Sequence, residues 1–230
     1  MLQAVGFTLI PLLALIIGAV ATVWRRPGPG FTSGVQHFAA GVVFAAAASE
    51  ILPDLKHGTS AWPILVGGIV GIVSMLAIKH FGAKAEGPVA IAAVTGIDIF
   101  IDGLVLGISF VAGARQGLLL TLALTVEVLF LGLTLASGFA ETMKSRWKVV
   151  GLTSAIGLGL PLGALLGGPV GLLPAPLLTA FYAFGLIALL YLVTEELLVE
   201  AHEHPDTPLI ASMFFVGFLA LLMLEELLPQ

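Results

Sequence analysis

The sequence predicts an all-α integral membrane protein, a single domain of eight transmembrane helices. Apolar residues make up 59% of its 230 residues and charged residues only 10%, against about 25% charged in soluble domains. The mean hydropathy is +1.12. Because a membrane-spanning helix needs about 20 apolar residues, a chain of this length accommodates roughly eight such helices joined by short loops.

Apolar runs separated by Gly, Pro and charged residues place the individual helices. The first run lacks the basic start of a signal peptide and exceeds its usual length, so we expect it to be retained as a helix. The connections are too short to hold a soluble domain. The predicted helices cover residues 3–24, 35–53, 61–80, 88–113, 117–140, 149–168, 177–200 and 208–228.

Basic residues concentrate at alternate connections, and cytoplasmic loops collect such residues. Seven lie in or beside the odd-numbered loops and two beside the even-numbered ones. The odd loops are therefore predicted to be cytoplasmic and both termini outside, in a multi-pass plasma (inner) membrane protein. The seven are Arg25, Arg26, Lys79, Lys84, Lys144, Arg146 and Lys148, and the two are Lys56 and Arg115.

Helices 2 and 7 are similar enough to suggest an inverted repeat, which many transporters contain. Both are rich in small residues and end with acids and branched aliphatic residues, at Ser49–Pro53 and Glu195–Leu198. Helices 1–3 and 6–8 would then be halves of opposite topology, although any two apolar helices could share these features. Glycines at small-xxx-small spacing predict close packing within the bundle, with a homodimer as the alternative.

Three acidic residues lie deep within apolar helices. Asp98 and Asp102 are four residues apart on helix 4 and therefore share a face, and Glu127 lies near the middle of helix 5. A charged residue at this depth costs at least about 2.5 kcal/mol, so such residues are functional candidates. Carboxylates suit hard divalent cations, and we predict a metal site at these three residues. The alternative is that protonated acids merely join the helices.

Further polar residues lie closer to the helix ends. A loop near the inner end of helix 7 contains His202, Glu203 and His204, a candidate peripheral metal site, although histidines in a surface loop are often only solvated. Acids near the outer end of helix 2 and the inner end of helix 7, with a histidine near the inner start of helix 2, could line a pathway. These are Glu50, Glu195, Glu196 and His37.

Composition also excludes several classes of function. The sequence has no basic patch for nucleic acid and no cysteine for disulfides or thiolate metal sites. It has no HExxH pair, no nucleophile with a plausible base and no cofactor loop, so we predict that it is not an enzyme. The predicted partners are the lipid bilayer and a divalent metal cation as substrate.

The acidic segments resemble the ZIP family of metal transporters. Helix 4 of that family typically carries His-Asn-x-Pro-Glu/Asp-Gly, and the segment from Asp98 to Gly103 fits this frame. The segment from Glu127 to Gly132 fits the helix 5 frame, His-Asp/Glu-x-Pro-Glu-Gly, with gaps. The ends of helices 2 and 7 are also similar. The resemblance implies a 3+2+3 helix arrangement with an inverted repeat and both termini outside.

The site departs from the family pattern. Asp98 and Glu127 stand where histidines are expected, Leu131 stands where a second carboxylate is expected, and both motif prolines are absent. The resemblance therefore implies one site, at Asp98, Asp102 and Glu127, from which a divalent cation moves toward the cytoplasm by alternating access. The resemblance implies a divalent metal such as zinc, manganese or iron as substrate, and zinc selectivity stays open. Because three carboxylates exceed the charge of the ion, binding could release a proton and link transport to protons.

Two other functions remain open. A relative that kept the fold without transporting could act as a metal sensor or interaction protein, and it would bind metal without flux. A proton or monovalent-cation pathway could use the same carboxylates, and its flux would follow pH and ignore divalent ions.

Overall fold

A computed structural model of the protein describes residues 2–25, 27–56, 60–203 and 207–227. Over these ranges the secondary structure is helical without strands, and eight helices are long and apolar enough to span a membrane. The predicted all-helical structure and the number of spanning helices are confirmed. The helices are α1 (Gln3–Trp24), α2 (Pro29–Ile51), α3 (Ala61–Gly82), α4 (Gly87–Ala112), α5 (Ala114–Thr142), α6 (Arg146–Leu172), α7 (Ala175–Ala201) and α8 (Pro208–Leu227).

Some helices begin earlier than the apolar pattern predicts. α2 begins at Pro29 instead of residue 35, and α7 begins at Ala175, directly before Pro176. Proline is well suited to a first helical turn, because its fixed φ matches the helix and the N–H that it lacks would have no partner there. The sequence interpretation had assigned these prolines to loops.

Large apolar side chains cover the outside of the bundle. Ile17 of α1, Val73 of α3 and Leu219 of α8 are 57–61% exposed. Contiguous apolar surface of this kind is rare on soluble monomers, because exposing it to water is unfavourable. A lipid bilayer covers the surface and removes this free-energy cost. α2 and α5 are mostly buried, whereas α3 and α8 bury few residues. The fold therefore defines a multi-pass α-helical membrane protein.

The helices pack in four close pairs, which are α1 with α5, α4 with α6, α2 with α8, and α3 with α7. Each pair has a glycine whose added Cβ would collide with the backbone of the partner helix. Small residues of this kind let membrane helices approach closely. The predicted packing of small residues within the bundle is confirmed. The glycines, in the order of the pairs, are Gly18, Gly103, Gly41 and Gly67.

The pairs combine into two blocks of four helices. Block A contains α1, α4, α5 and α6, and it has its own apolar core around Leu15, Ile99 and Leu160. Block B contains α2, α3, α7 and α8, where the Ser33 hydroxyl of α2 donates to the carbonyl oxygen of Ala201 of α7 at 2.8 Å. The most extensive contact between the blocks is that of α2 with α5.

Arg115, at the start of α5, joins the blocks on the side of the even loops. Its Nη2 donates to the backbone oxygen of Glu225 in α8 at 2.7 Å and lies 3.7 Å from the Glu225 Oε1. The two side chains are 30% and 24% exposed. Partial burial protects this contact from the screening that weakens surface ion pairs.

We expect Arg115→Gln to destabilise the protein by about 1–2 kcal/mol, because hydrogen bonds to charged groups contribute about 1.5–3 kcal/mol. Thermal unfolding of the detergent-solubilised protein measures the effect. Lys84→Gln, which removes an exposed cation in another loop, is the matched control. Equal melting temperatures for the two variants would contradict a stabilising role for the Arg115 contact.

Candidate metal centre

Carboxyl groups from three helices gather inside the bundle, namely Asp98 and Asp102 of α4, Glu127 of α5 and Glu196 of α7. Asp102 and Glu127 are only 4% and 2% exposed, and Asp98 and Glu196 are half-buried. Asp98 and Glu196 are close enough to interact electrostatically. Asp102 lies within electrostatic range of the other three. We call these four residues the carboxyl cluster.

The position of each residue along α4 directs the two aspartates inward. Ile97 faces outward and is 53% exposed, whereas Ile99 is fully buried in the core of block A. Asp98 and Asp102 share the face between these directions, one turn apart, because residues at i and i+4 lie on the same side of a helix. This face of α4 meets α5 and α7, which contribute the two glutamates.

Two oxygen atoms of the carboxyl cluster are buried without a hydrogen-bond partner in the described part of the chain. They are Asp102 Oδ2 and Glu127 Oε2. A buried polar atom is costly unless it is hydrogen-bonded, and a buried charge unless it is paired or coordinates a metal. A bound cation would compensate both atoms.

A cavity of about 20 Å³ lies beside the cluster and is lined by Asp98, Glu127, Glu196 and Glu200. A single water needs about 10–15 Å³ by this measure, so the cavity suits one water molecule or one small ion. A second, open cavity of about 920 Å³ reaches Asp98 and Glu196 from the side of the odd loops, where Glu203 lies at its mouth. We call the larger cavity the vestibule.

The cluster is not arranged as a coordination shell. Within the described ranges, no group of three or more His, Cys, Asp or Glu side chains is placed to hold a metal ion. A metal site at Asp98, Asp102 and Glu127 therefore stays a prediction. The structure brings these residues into one polar region, and side-chain movement would be needed to bind an ion.

Glu195 and Glu196 are adjacent in sequence but have different surroundings. Both lie in a π-helical segment of α7, Leu192–Leu197, and such segments occur often at functional sites. Glu196 belongs to the carboxyl cluster. Glu195 is exposed, and its Oε2 lies 2.5 Å from the Nζ of Lys79 in α3. Both residues line the vestibule.

Glu50 occupies a matching position in α2. It is 5% exposed and lies in a second π-helical segment, Ala47–Ile51. The hydroxyl of Ser49 donates to its Oε1 at 3.2 Å. The three pathway acids that the sequence predicts near the ends of α2 and α7 thus share the same unusual backbone.

Two of the three predicted histidines, His37 and His202, come together at the odd-loop side. His37 of α2 is buried, and its Nδ1 lies 2.9 Å from the carbonyl oxygen of Ser33. The ring centroids of His37 and His202 are 4.9 Å apart. Glu203 lines the vestibule. His204, the third residue of the predicted peripheral metal site, lies outside the described residues.

Sequence reasoning missed the position of Glu200. The sequence pattern does not single out this residue, yet its Oε2 accepts a hydrogen bond from Gln36 Nε2 at 2.7 Å. Glu200 lines both the small cavity and the vestibule. The available signal was its spacing, because Glu196 and Glu200 are four residues apart and lie on one face of α7.

Comparison with known proteins shows a partial sequence similarity to a protein named as a zinc transporter. No protein-family model matches the chain. Over 165 residues the chain is 32% identical to an Arabidopsis thaliana protein named "Putative zinc transporter". The match covers 63% of this chain and 26% of that protein, so it spans about a quarter of the relative's length.

Proposed function

We propose that this chain moves a divalent metal cation across the membrane through a site formed by Asp98, Asp102 and Glu127. The observation that carries the proposal is the gathering of these carboxyl groups, two of them deeply buried, at the inner end of an open vestibule. Ionisable residues inside a membrane bundle commonly mark ion pathways. The similarity to a protein named as a zinc transporter supports a metal as the cargo.

The ligand chemistry leaves several cations open. Carboxylates suit hard cations such as Mn²⁺, and zinc also accepts carboxylate oxygens at about 2.0–2.2 Å. The name of the plant relative favours zinc. The absence of histidine from the cluster favours a harder ion. We therefore propose zinc, manganese or iron as the substrate.

The proposed direction of transport is toward the cytoplasm, in the plasma (inner) membrane. The vestibule opens between the odd loops, and their Lys and Arg content supports a cytoplasmic location with both termini outside. Glu196 and then Glu200 would bind the ion as it moves from the proposed site to the vestibule. Glu50 would lie near the outer entrance.

The helix pairing supports an inverted repeat with a 3+2+3 arrangement. An inverted repeat would relate α1, α2 and α3 to α6, α7 and α8, and α4 to α5. The pair of α1 with α5 would then correspond to the pair of α6 with α4, and the pair of α2 with α8 to the pair of α7 with α3. All four pairs are present. The π-helical segments of α2 and α7 also correspond. Alternating access would then move block A, which contains the three ligands, relative to block B.

A link to protons follows from the chemistry of the cluster. Carboxyl groups this close repel one another when all are ionised, so at least one of them, such as Asp98, would hold a proton. An ion that binds Asp98 would displace that proton. We propose that metal entry into the site is coupled to proton release.

The proposal predicts that Glu127→Gln slows metal transport at least about 10-fold. The change keeps the shape of the side chain but removes a charged ligand. Even changes to residues that only contact a metal ligand reduce metal affinity or activity about 10–100-fold. The assay uses the purified chain in liposomes that contain a metal-sensitive dye, with Mn²⁺ or Zn²⁺ outside. Glu226→Gln, at the exposed end of α8, is the control. Wild-type flux in Glu127→Gln would refute the role of this residue.

The same liposomes separate the two other functions. Metal binding to the wild-type chain without dye response would favour a sensor or interaction protein. Acidification of the lumen in the absence of divalent ions, unchanged on their addition, would favour a proton pathway. Transport requires a dye response that depends on the divalent ion and saturates with its concentration.

A further inference from the structure

A polar cavity of about 320 Å³ lies away from the carboxyl cluster, at the odd-loop ends of α1, α5 and α6. Its lining includes Thr22 and Trp24 of α1, Met143 and Lys144 after α5, and Arg146 at the start of α6. All three helices belong to block A. Nothing in the proposed transport pathway uses this cavity.

The cavity has a net positive lining. Lys144 and Arg146 line it, and none of its lining residues is acidic. Within the described part of the chain, neither cation forms an ion pair. Glu141, although close in sequence, lines the vestibule. Because no acidic residue of the described ranges lines the cavity beside these two cations, the cavity favours an anion.

The depth of the cavity identifies the kind of anion. Trp24 and Trp147 are 72% and 78% exposed, and exposed tryptophans of membrane proteins concentrate at the headgroup level. Trp24 ends α1 and lines the cavity, and Trp147 directly follows Arg146, which also lines it. At this level the abundant anion is the phosphate of lipid headgroups, and basic pockets between transmembrane helices bind such groups.

We propose that this cavity binds the headgroup of an anionic phospholipid, with Lys144 and Arg146 contacting its phosphate. Arg supplies a fork of donors that fits phosphate oxygens, and Lys supplies a compact charge. The proposal is independent of the proposed transport function, because it concerns a different side of block A and needs no metal.

The test measures lipid binding by native mass spectrometry of the purified full-length chain. Short-chain phosphatidylglycerol, short-chain phosphatidylcholine and inorganic phosphate are added separately at low salt. Each cation near an anionic lipid contributes a factor of about 5 in affinity. We therefore expect the Lys144→Gln, Arg146→Gln double variant to bind phosphatidylglycerol about 30-fold more weakly than wild type.

Lys84→Gln, which removes an exposed cation from a different odd loop, is the control for Lys144→Gln alone. Lys144→Gln should lose affinity for phosphatidylglycerol and Lys84→Gln should not. Both variants should melt at the wild-type temperature. Unchanged phosphatidylglycerol binding in the double variant would overturn the proposal, as would an equal loss in Lys84→Gln. Phosphatidylcholine or inorganic phosphate binding as tightly as phosphatidylglycerol would also overturn it, because the ligand would then not be an anionic lipid.

Discussion

The Asp98→Asn, Asp102→Asn double substitution should reduce divalent-metal uptake to the level of cells without the protein. Asparagine keeps the size of each side chain but replaces an anionic ligand with a neutral amide. The loss of two of three carboxylates removes most of the charge that would hold a divalent ion, and we expect at least about a 100-fold loss in apparent affinity. Uptake of labelled Mn²⁺ and Zn²⁺ by expressing cells is the measurement.

The control for this variant carries the same change in charge outside the cluster. Glu86→Gln with Glu226→Gln removes two exposed acids and should leave uptake unchanged. Wild-type uptake in the aspartate variant would refute the site.

The melting temperature of the aspartate variant separates a ligand role from a structural one. Removing buried carboxyl groups relieves their burial cost, so the variant should melt at or above the wild-type temperature; a large decrease would instead assign the aspartates to helix packing.

The sequence predicted the fold class and the number of helices because both follow from local properties. Each spanning helix needs a long apolar run, and each connection needs polar residues, Gly or Pro. Helix ends were less predictable, as the start of α2 at Pro29 shows. The partner of each helix could not be predicted, because a glycine such as Gly103 indicates close approach without identifying the helix that approaches.

The predictability of the carboxyl cluster has the same limit. Asp98 and Asp102 could be paired from their spacing on one helix. The joining of Glu196 to them depends on how α7 packs against α4, and the different surroundings of Glu195 and Glu196 coincide with a π-helical segment that no spacing rule indicates. The contact between His37 and His202 joins two helices that are distant in sequence.

Gly103→Leu should prevent stable folding, whereas Gly96→Leu in the same helix should be tolerated. An added Cβ at Gly103 would overlap the backbone of Leu160 in α6, and at Gly96 it would meet nothing within 4 Å. Leucine is a better helix former than glycine by almost 1 kcal/mol, on the order of the Gly–Ala difference. Any loss therefore comes from packing between helices, where excess volume costs about 1–3 kcal/mol and more when backbones must separate.

Thermal unfolding in detergent and the yield of monodisperse protein measure the difference between the two leucine variants. The comparison also tests the frame of the candidate metal centre, because Gly103 directly follows Asp102 and its contact with α6 fixes how deeply α4 lies in block A. A wild-type melting temperature for Gly103→Leu would mean that α4 and α6 are not a close pair. The positions of Asp98 and Asp102 would then be supported only by the other contacts of α4, mainly those with α5 and block B.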